Sequence, residues 1–329
     1  MARDRFPFPV PFGWYSAGYD DELPAGTVTA RRLCGRDLIV WRGEDGTAHV
    51  MDAYCPHLGA HLGVGGGVRD GTVVCPFHGW AFDGDGRNVD IPYSSRTNAR
   101  ARIRTYPTVE RNHMVLFWYH PDPTVEPMWE IPEIPALADG YAVRYRWEVD
   151  APWQVIAENS VDAAHFQFVH GLVQPGEIVE ASFDFPVRRQ KIVNRYNTKQ
   201  GPYEGWQETV TYGPGFGTTQ FHIFGDAHLI ASLVPIERDR TLARFAWVYG
   251  DDPASQATGP RFADEVERQF EQDIPIWEAM RYEERPALAS SEGAITKFRA
   301  WAARFYAEPP RLADDRPETT DTTAPGGTR

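Results

Sequence analysis

The sequence predicts an α+β protein, in which an all-β N-terminal domain precedes a larger domain that combines an antiparallel sheet with helices. A chain of 329 residues is long enough for two separate cores. Short alternating runs separated by turn residues fill the first part, whereas longer alternating runs from residue 141 lead into one strongly amphipathic helix. A proline-rich stretch lies between them. We therefore predict domains at 1–120 and 141–310, a connector at 121–140 and a tail at 311–329.

The N-terminal domain is predicted to be a small antiparallel β structure. Turn residues at 43–46, Gly-Glu-Asp-Gly, and at 83–86, Asp-Gly-Asp-Gly, indicate two hairpins. Apolar and polar residues alternate in the runs that flank these turns, as they do in half-buried strands. The predicted strands span 27–33, 37–42, 49–53, 103–106 and 114–119.

Two loops of this domain share one pattern of metal-binding side chains. The first has the sequence Cys-Pro-His-Leu-Gly and supplies Cys55 and His57. The second has the sequence Cys-Pro-Phe-His-Gly-Trp and supplies Cys75 and His78. Each loop therefore offers one thiolate and one imidazole, on backbone that proline and glycine shape to wrap around a bulky group.

A closed zinc site with two cysteines and two histidines is one interpretation of these loops. Tetrahedral zinc sites usually take a cysteine pair from one segment and a histidine pair from another, whereas here each loop mixes the two. The mixture favours the Rieske arrangement of a [2Fe-2S] cluster, in which both thiolates hold one iron and both imidazoles hold the other. Cys34 lies outside both loops and is expected to be a packing residue or a free surface thiol.

The connector is followed by the strands of the larger domain. Prolines recur through residues 121–135 and predict a stiff link. Beyond it, the alternation of apolar and polar residues has the period of strands. The predicted strands span 141–149, 178–186, 190–197, 203–212, 218–224, 228–235 and 242–249.

Residues 158–171 place polar, metal-binding side chains among apolar neighbours. On a helix, Asp162 and His165 face one side because they are three residues apart. His170 joins them only if the helix loosens near its end, where Gly171 is suited to a left-handed stop. Two neutral imidazoles can then bind one divalent ion. Hydrogen-bonded histidines of an ordinary core helix are the alternative.

A helix predicted over 261–280 carries a carboxylate on its apolar side. Its core-facing stripe passes through Asp273, and burying a carboxylate costs several kcal/mol unless a cation or donors satisfy it. Pro275 is expected to kink the helix and so aim this carboxylate. The partner is either a metal ion or an arginine, and the charges between 264 and 271 are expected to form a solvated face. The apolar stripe consists of Phe262, Val266, Phe270, Trp277 and Met280.

Composition excludes several classes of protein. A net charge of -13 provides no basic surface for nucleic acid, and no apolar run reaches the ~18 residues of a membrane span. The N-terminus lacks the apolar core of a secretion signal, and three cysteines are too few for a disulfide framework. We expect a cytoplasmic protein with reduced thiols and, since residues 311–329 are nearly without apolar side chains, a disordered tail.

The cluster motif, a His-x4-His segment and a distant buried aspartate together resemble the catalytic component of the Rieske non-heme iron oxygenases, over residues 12–306. The resemblance implies a helix-grip, START-like catalytic domain. It also implies that His165, His170 and Asp273 form a facial triad around a mononuclear Fe(II), with open positions for dioxygen.

The family motif Asn-x2-Asp-x2-His-x4-His assigns roles to two further residues. Asp162 matches the acidic residue that, in the head-to-tail trimers of the family, bridges His165 to the Rieske histidine of the neighbouring subunit. Asn159 begins the motif and is expected to support the ligands without binding the metal. The resemblance therefore implies a homotrimer in which electrons cross between subunits.

Shorter segments at 88–93, 270–277 and 298–306 look like the branch of 3-ketosteroid 9α-hydroxylases and cholesterol 7-desaturases. The implied function is hydroxylation of a hydrophobic, steroid- or sterol-like substrate. Electrons come from NAD(P)H through a separate reductase or ferredoxin, since the chain has no Gly-x-Gly-x-x-Gly and no flavin motif. Desaturation, demethylation or oxidation of an aromatic substrate are alternatives. A Rieske electron carrier is the alternative from another class, although it needs only the first ~120 residues.

Overall fold

The computed structural model describes residues 5–171, 176–198, 201–223 and 225–308. Within these ranges the chain forms four antiparallel sheets and four α-helices, in agreement with the predicted α+β class. The tail predicted to be disordered, 311–329, lies outside the described residues. None of the described helices is both long enough and apolar enough to cross a membrane.

Eleven strands build three small sheets in the N-terminal region. The two predicted hairpins are present, because residues 43–46 join the third strand to the fourth and residues 83–86 join the seventh to the eighth. The sheets have the orders β1-β11-β10, β2-β3-β4-β9 and β5-β6-β7-β8. The strands are β1 (Gly13–Tyr19), β2 (Val28–Leu33), β3 (Arg36–Arg42), β4 (Ala48–Asp52), β5 (Gly67–Arg69), β6 (Thr72–Val74), β7 (Ala81–Phe82), β8 (Asn88–Asp90), β9 (Thr105–Tyr106), β10 (Thr108–Arg111) and β11 (Met114–Tyr119).

For most of the strands that were not predicted from the sequence, the cause can be named. All seven residues of β1 are buried, so the strand has no exposed face and no alternation. Strands β5 to β8 are two or three residues long, which is too short for a period of two to appear.

The proline-rich connector packs as part of the core. Ile131 and Leu137 are buried, and the ring of Trp129 lies 4.7 Å from that of Trp118 and 5.8 Å from that of Phe305. The segment therefore holds its two flanking regions together through apolar contacts in addition to the stiffness of its prolines.

A single seven-stranded sheet dominates the C-terminal region. Its order, β12-β18-β17-β16-β15-β14-β13, is a meander of six consecutive strands with β12 added beside the last of them. The strands predicted in this region all fall on it. Its members are β12 (Val143–Val149), β13 (Glu177–Phe183), β14 (Val187–Thr198), β15 (Gly201–Tyr212), β16 (Gly217–His222), β17 (Asp226–Glu237) and β18 (Arg240–Tyr249).

The helices are α1 (Trp153–Glu158), α2 (His165–Phe168), α3 (Pro253–Ala279) and α4 (Gly293–Ala302). Helix α3 starts at Pro253 rather than at residue 261, because the Asp252 carboxylate accepts hydrogen bonds from the first free amides of the helix. It continues past Pro275. Glu267 is only 4% exposed, so the prediction of a wholly solvated face at 264–271 is wrong at this residue.

The two faces of β17 show how the sheet positions a cavity. Leu229 and Leu233 line a cavity between the sheet and the helices, whereas Val234 packs with the N-terminal residues Tyr15 and Leu33. The period of two thus separates the cavity on one face from the N-terminal sheets on the other.

Candidate metal centres

The two cluster loops, residues 55–60 and 75–80, have the same backbone hydrogen bonds. In each, the cysteine amide donates to the carbonyl five residues later, at 2.9 Å. The glycine four residues later donates back to the cysteine carbonyl, from Gly59 to Cys55 at 2.9 Å and from Gly79 to Cys75 at 3.0 Å. Both glycines have positive φ, 79° and 70°, which a residue with a side chain rarely adopts.

These loops bring the four predicted cluster ligands close together. Cys55 and Cys75 are free thiols and are buried. His57 and His78 are half-buried, with ring centroids 4.7 Å apart, and His57 stacks on Trp80 at 4.4 Å. The thiols therefore lie on the inside and the imidazoles toward solvent.

The chemistry of this donor set fits a metal cluster. Burial raises the pKa of the Cys55 thiol to about 11, so the thiolate is favoured only when positive charge lies beside it. Cys34, in contrast, is buried among Leu33 and Leu38, so it is a packing residue and not a surface thiol.

The predicted helix through residues 158–171 is wrong in its middle. Helix α1 ends at Glu158, a single 3-10 turn covers 159–161, and Asp162 is extended with φ -95° and ψ 91°. The Asp162 carboxylate accepts hydrogen bonds from the amides of Ala164 (3.0 Å) and His165 (3.3 Å), which starts the short helix α2. A side chain that accepts hydrogen bonds from nearby backbone amides replaces the hydrogen bonds of a continuous helix. Here the Asp162 side chain interrupts the predicted helix in this way. Gly171 has the predicted left-handed conformation, with φ 71°.

His165, His170 and Asp273 meet at one point although they are far apart in sequence. One potential ligand atom from each lies within 4.8 Å of the others. The Nε2 atom of His170 is 3.4 Å from Asp273 Oδ2, and the side chains of the three residues are 9%, 1% and 7% exposed. No arginine of the described chain lies within ion-pair distance of Asp273, so the arginine partner considered from the sequence is not found there; Asn159 and His170 contact the carboxylate instead.

Hydrogen bonds around these residues hold both imidazoles in one orientation. His165 Nδ1 donates to the carbonyl of Asp162, and His170 Nδ1 donates to Gln272 Oε1 at 3.1 Å. Nε2 of His170 therefore faces the Asp273 carboxylate, and Nε2 of His165 faces the side-chain amide of Asn159. Metal-binding histidines in general have their second nitrogen fixed in this way.

Asn159 touches two of the three predicted ligands. Its Nδ2 atom lies 2.9 Å from Asp273 Oδ2 and 3.0 Å from His165 Nε2. Sequence reasoning expected support from Asn159 but missed Gln272, which had no signal besides its position next to Asp273.

The charges of His165, His170 and Asp273 are compatible with a bound cation. Burial raises the pKa of Asp273 above its usual value, although the two histidines beside it act in the opposite direction. Burial lowers the pKa of His165, which keeps that imidazole neutral. A buried carboxylate beside two imidazole rings is a donor set suited to a divalent ion such as Fe(II).

The three residues open onto the cavity between the sheet and the helices. Its volume is about 230 Å³, and residues of all four α-helices and the inner face of the sheet line it. The wall is largely aromatic and aliphatic, including Trp153, Phe216 and Phe245, with threonines of β15 and β16 on one side. A hydrophobic molecule bound there lies against the site of the three predicted ligands.

Comparisons with known proteins match both regions. The Rieske [2Fe-2S] domain family matches residues 13–107, and the 3-Ketosteroid 9alpha-hydroxylase C-terminal domain family matches residues 117–306. The cholesterol 7-desaturase of Xenopus laevis is 33% identical over 92% of this chain and 73% of its own length. The 3-ketosteroid-9-alpha-monooxygenase oxygenase component of Rhodococcus rhodochrous is 30% identical over 94% of this chain and 86% of its own length.

Solved structures with the same fold are also found. Dicamba monooxygenase bound to dicamba superposes with a TM-score of 0.74 and 21% sequence identity, over 91% of this chain and 97% of that one. A terminal oxygenase of carbazole 1,9a-dioxygenase from Nocardioides aromaticivorans gives 0.67 and 20%, over 91% and 96%.

Proposed function

Because the chain belongs to the Rieske non-heme iron oxygenases, in the family of the 3-ketosteroid 9α-hydroxylases, we propose that it oxidises a steroid- or sterol-like substrate at an iron held by His165, His170 and Asp273. It is an oxygenase component whose cofactors are a Rieske [2Fe-2S] cluster and a mononuclear iron, with dioxygen as co-substrate. The observation that carries the ligand assignment is the meeting of three ligand atoms within 4.8 Å at the wall of an apolar cavity.

The cluster is assigned to Cys55, His57, Cys75 and His78. Two loops with the same hydrogen bonds and buried free thiols support this assignment. The assignment of residues 1–120 to a cluster domain and 141–310 to a catalytic domain belongs to the same proposal. It is supported by the two matched families, which meet between residues 107 and 117.

At the mononuclear site, the iron when bound supplies the activation of dioxygen. The protein contributes orientation: Asp162 and Gln272 fix the two imidazoles, and Asn159 donates to the Asp273 carboxylate. The apolar and aromatic wall of the cavity would hold a hydrophobic substrate beside these ligands. Hydroxylation consumes dioxygen, two electrons and two protons, and releases one water along with the alcohol.

A steroid-like substrate is supported by the names of the relatives and by the cavity. One relative is a 3-ketosteroid 9α-monooxygenase component and another a cholesterol 7-desaturase. The cavity is largely apolar and is lined by the sheet and by residues of all four α-helices. Since the relatives include both kinds of enzyme, desaturation is the second candidate reaction.

Electron supply is proposed to involve a separate reductase or ferredoxin and a neighbouring copy of this chain. Leu58 and Phe77, at the tips of the cluster loops, are 67% and 63% exposed, and Phe168 beside the metal-binding segment is 83% exposed. The cluster loops and the metal-binding segment would be the two ends of an electron-transfer path between subunits. Exposed apolar side chains at both ends are suited to a head-to-tail contact, and such contacts close into rings. We propose a homotrimer, with Asp162 as the bridge between subunits. We also propose a reducing, cytoplasmic location, since none of the three cysteines forms a disulfide and two of them are proposed cluster ligands.

The test uses the iron-loaded enzyme with a reductase, NADH and isotopically labelled dioxygen. Substrates are a panel of steroids and sterols, with aromatic acids and amines as a comparison panel. We expect a steroid product that carries one labelled oxygen for hydroxylation, or one that has lost two hydrogens without label for desaturation. Turnover of the aromatic panel alone would contradict the proposed substrate class.

A further inference from the structure

The cavity wall contains a positive charge for which the proposed reaction has no use. Arg188, on β14, is only 3% exposed and lines the same cavity as His165 and Asp273. Its neighbour Arg189 lies on the other face of the strand and is exposed. Arginine is rarely buried unless it is paired, so its partners are informative.

The protein supplies only neutral partners to this guanidinium. Nη2 donates to Thr211 Oγ1 at 3.1 Å, Nη1 donates to Gln190 Oε1 at 3.3 Å, and Nε has no partner. The ring of Phe298 covers one side at 5.6 Å. No carboxylate of the described chain lies within 4.0 Å of Arg188. Burial lowers its pKa to about 10, so the group remains charged at neutral pH.

A second buried arginine of the same sheet is paired with a carboxylate, as buried arginines usually are. Arg244, on β18, is 4% exposed and donates to the Glu22 carboxylate at 2.9 Å. A buried charge left unpaired destabilises the folded state, whereas a paired one is tolerated. Arg188 thus lacks the counter-ion that Arg244 has. An anionic ligand bound in the adjacent cavity could supply it.

We propose that Arg188 binds an anionic carboxylate of the substrate, so that the enzyme acts on hydrophobic polycyclic acids. This inference rests on the proposed function and narrows its substrate class. The planar guanidinium matches a carboxylate in geometry, and the pair is shielded from water inside the cavity. A neutral sterol leaves the charge of Arg188 uncompensated and is therefore disfavoured.

The position of Arg188 also ties the acid group to the metal site. Gln190, which accepts from Arg188, donates through Nε2 to the Ser160 carbonyl at 2.9 Å. Ser160 follows Asn159, whose side chain contacts His165 and Asp273. A substrate held by its carboxylate at Arg188 is thus placed relative to the iron through one short hydrogen-bonded path, which restricts the carbon that is oxidised.

The experiment compares a steroid acid with its neutral ester in binding to the holoenzyme. The probes are lithocholic acid and its methyl ester, and dissociation constants are measured by isothermal titration calorimetry without reductant. We expect the acid to bind about 100-fold more tightly than the ester. Arg188→Met should bring this preference to within a few-fold, and Arg189→Met, the matched control on the exposed face of β14, should leave it unchanged.

Arg188→Gln is the second variant, because it keeps a hydrogen-bond donor in the cavity and removes only the charge. The same loss of preference is expected from it. The inference is overturned if the wild-type enzyme binds the ester as tightly as the acid, or if either variant retains the preference.

Product formation, measured separately, keeps the two proposals distinct. Oxidation of neutral steroids without preference for the acid would overturn the role of Arg188 and leave the oxygenase function in place. Tight, Arg188-dependent binding of the acid with no steroid oxidised by the reduced, iron-loaded enzyme would overturn the function and leave the binding site.

Discussion

The two metal centres of this chain are built in opposite ways. The cluster loops contain all four proposed ligands within residues 55–78, and local hydrogen bonds with two positive-φ glycines set their shape. The mononuclear site joins His170 to Asp273, which is 273 - 170 = 103 positions later, and its geometry depends on the packing of α3 against the sheet. The first centre is therefore a local structure and the second a tertiary one. Changes at one should leave the other intact.

The largest effect on activity is expected from a change at Asp273, which should disturb the mononuclear site and leave the cluster intact. Asp273→Ala removes the anionic ligand of the mononuclear iron, so product formation should fall by more than about 100-fold. The cluster spectrum should be unchanged, because its loops make no use of α3. Glu271→Ala, which removes an exposed carboxylate of the same helix, is the control and should retain both iron centres and normal turnover. Normal turnover by Asp273→Ala would return this residue to a structural role.

The converse change acts on the cluster alone. His57→Cys combined with His78→Cys replaces both imidazoles by thiolates. The reduction potential should then fall from the Rieske range of about -150 to +300 mV toward about -400 mV. Protein-film voltammetry measures the shift, and substrate binding at the mononuclear site serves as the control that should not change. A potential that stays in the Rieske range would exclude these histidines as ligands.

Asp162 tests the connection between the centres. Asp162→Asn retains an oxygen that can accept from the amides of Ala164 and His165, so both metals should remain bound. Steady-state turnover should nevertheless fall by at least about 10-fold, since the charge that links the proposed electron path is removed. Rapid-mixing measurement of cluster reoxidation gives the rate directly. Full-rate reoxidation in a strictly monomeric sample would rule out transfer between subunits.

The smallest expected effect on activity concerns Glu267, a buried carboxyl outside both centres. It accepts from Trp247 Nε1 at 2.9 Å, its other oxygen has no partner, and burial raises its pKa to about 8. The unfolded chain loses this proton near pH 4.5 and the folded chain only near pH 8. The group therefore destabilises the fold progressively as pH rises through this window, by at most about 5 kcal/mol.

Glu267→Gln removes this titration without changing the size of the side chain. The variant should match the wild type in unfolding free energy near pH 4.5 and exceed it increasingly up to pH 8, while activity is unchanged. Urea unfolding at several pH values measures the difference. A difference that does not depend on pH would show that the carboxyl is ionised in the fold.

The contrast between the centres also explains which structural features could be predicted from the sequence alone. The cluster loops were predictable because ligand type, spacing and turn residues lie in two short segments. The strands of the large sheet were predictable from their alternation. The break at Asp162 was not, because a side chain that bonds to its own backbone leaves the apolar pattern of a helix unchanged. Gln272 and Arg188 have meaning only through residues about 100 and 20 positions away, and no local pattern marks such contacts.

Counting iron in the purified protein shows whether one chain holds two independent iron centres. Iron analysis combined with Mössbauer spectroscopy should find about three irons per chain, two in a Rieske cluster and one as a separate high-spin Fe(II). Two irons per chain with a complete cluster spectrum, even after anaerobic incubation with ferrous iron, would contradict the account and leave an electron carrier. A colourless protein that contains zinc would contradict it at both centres.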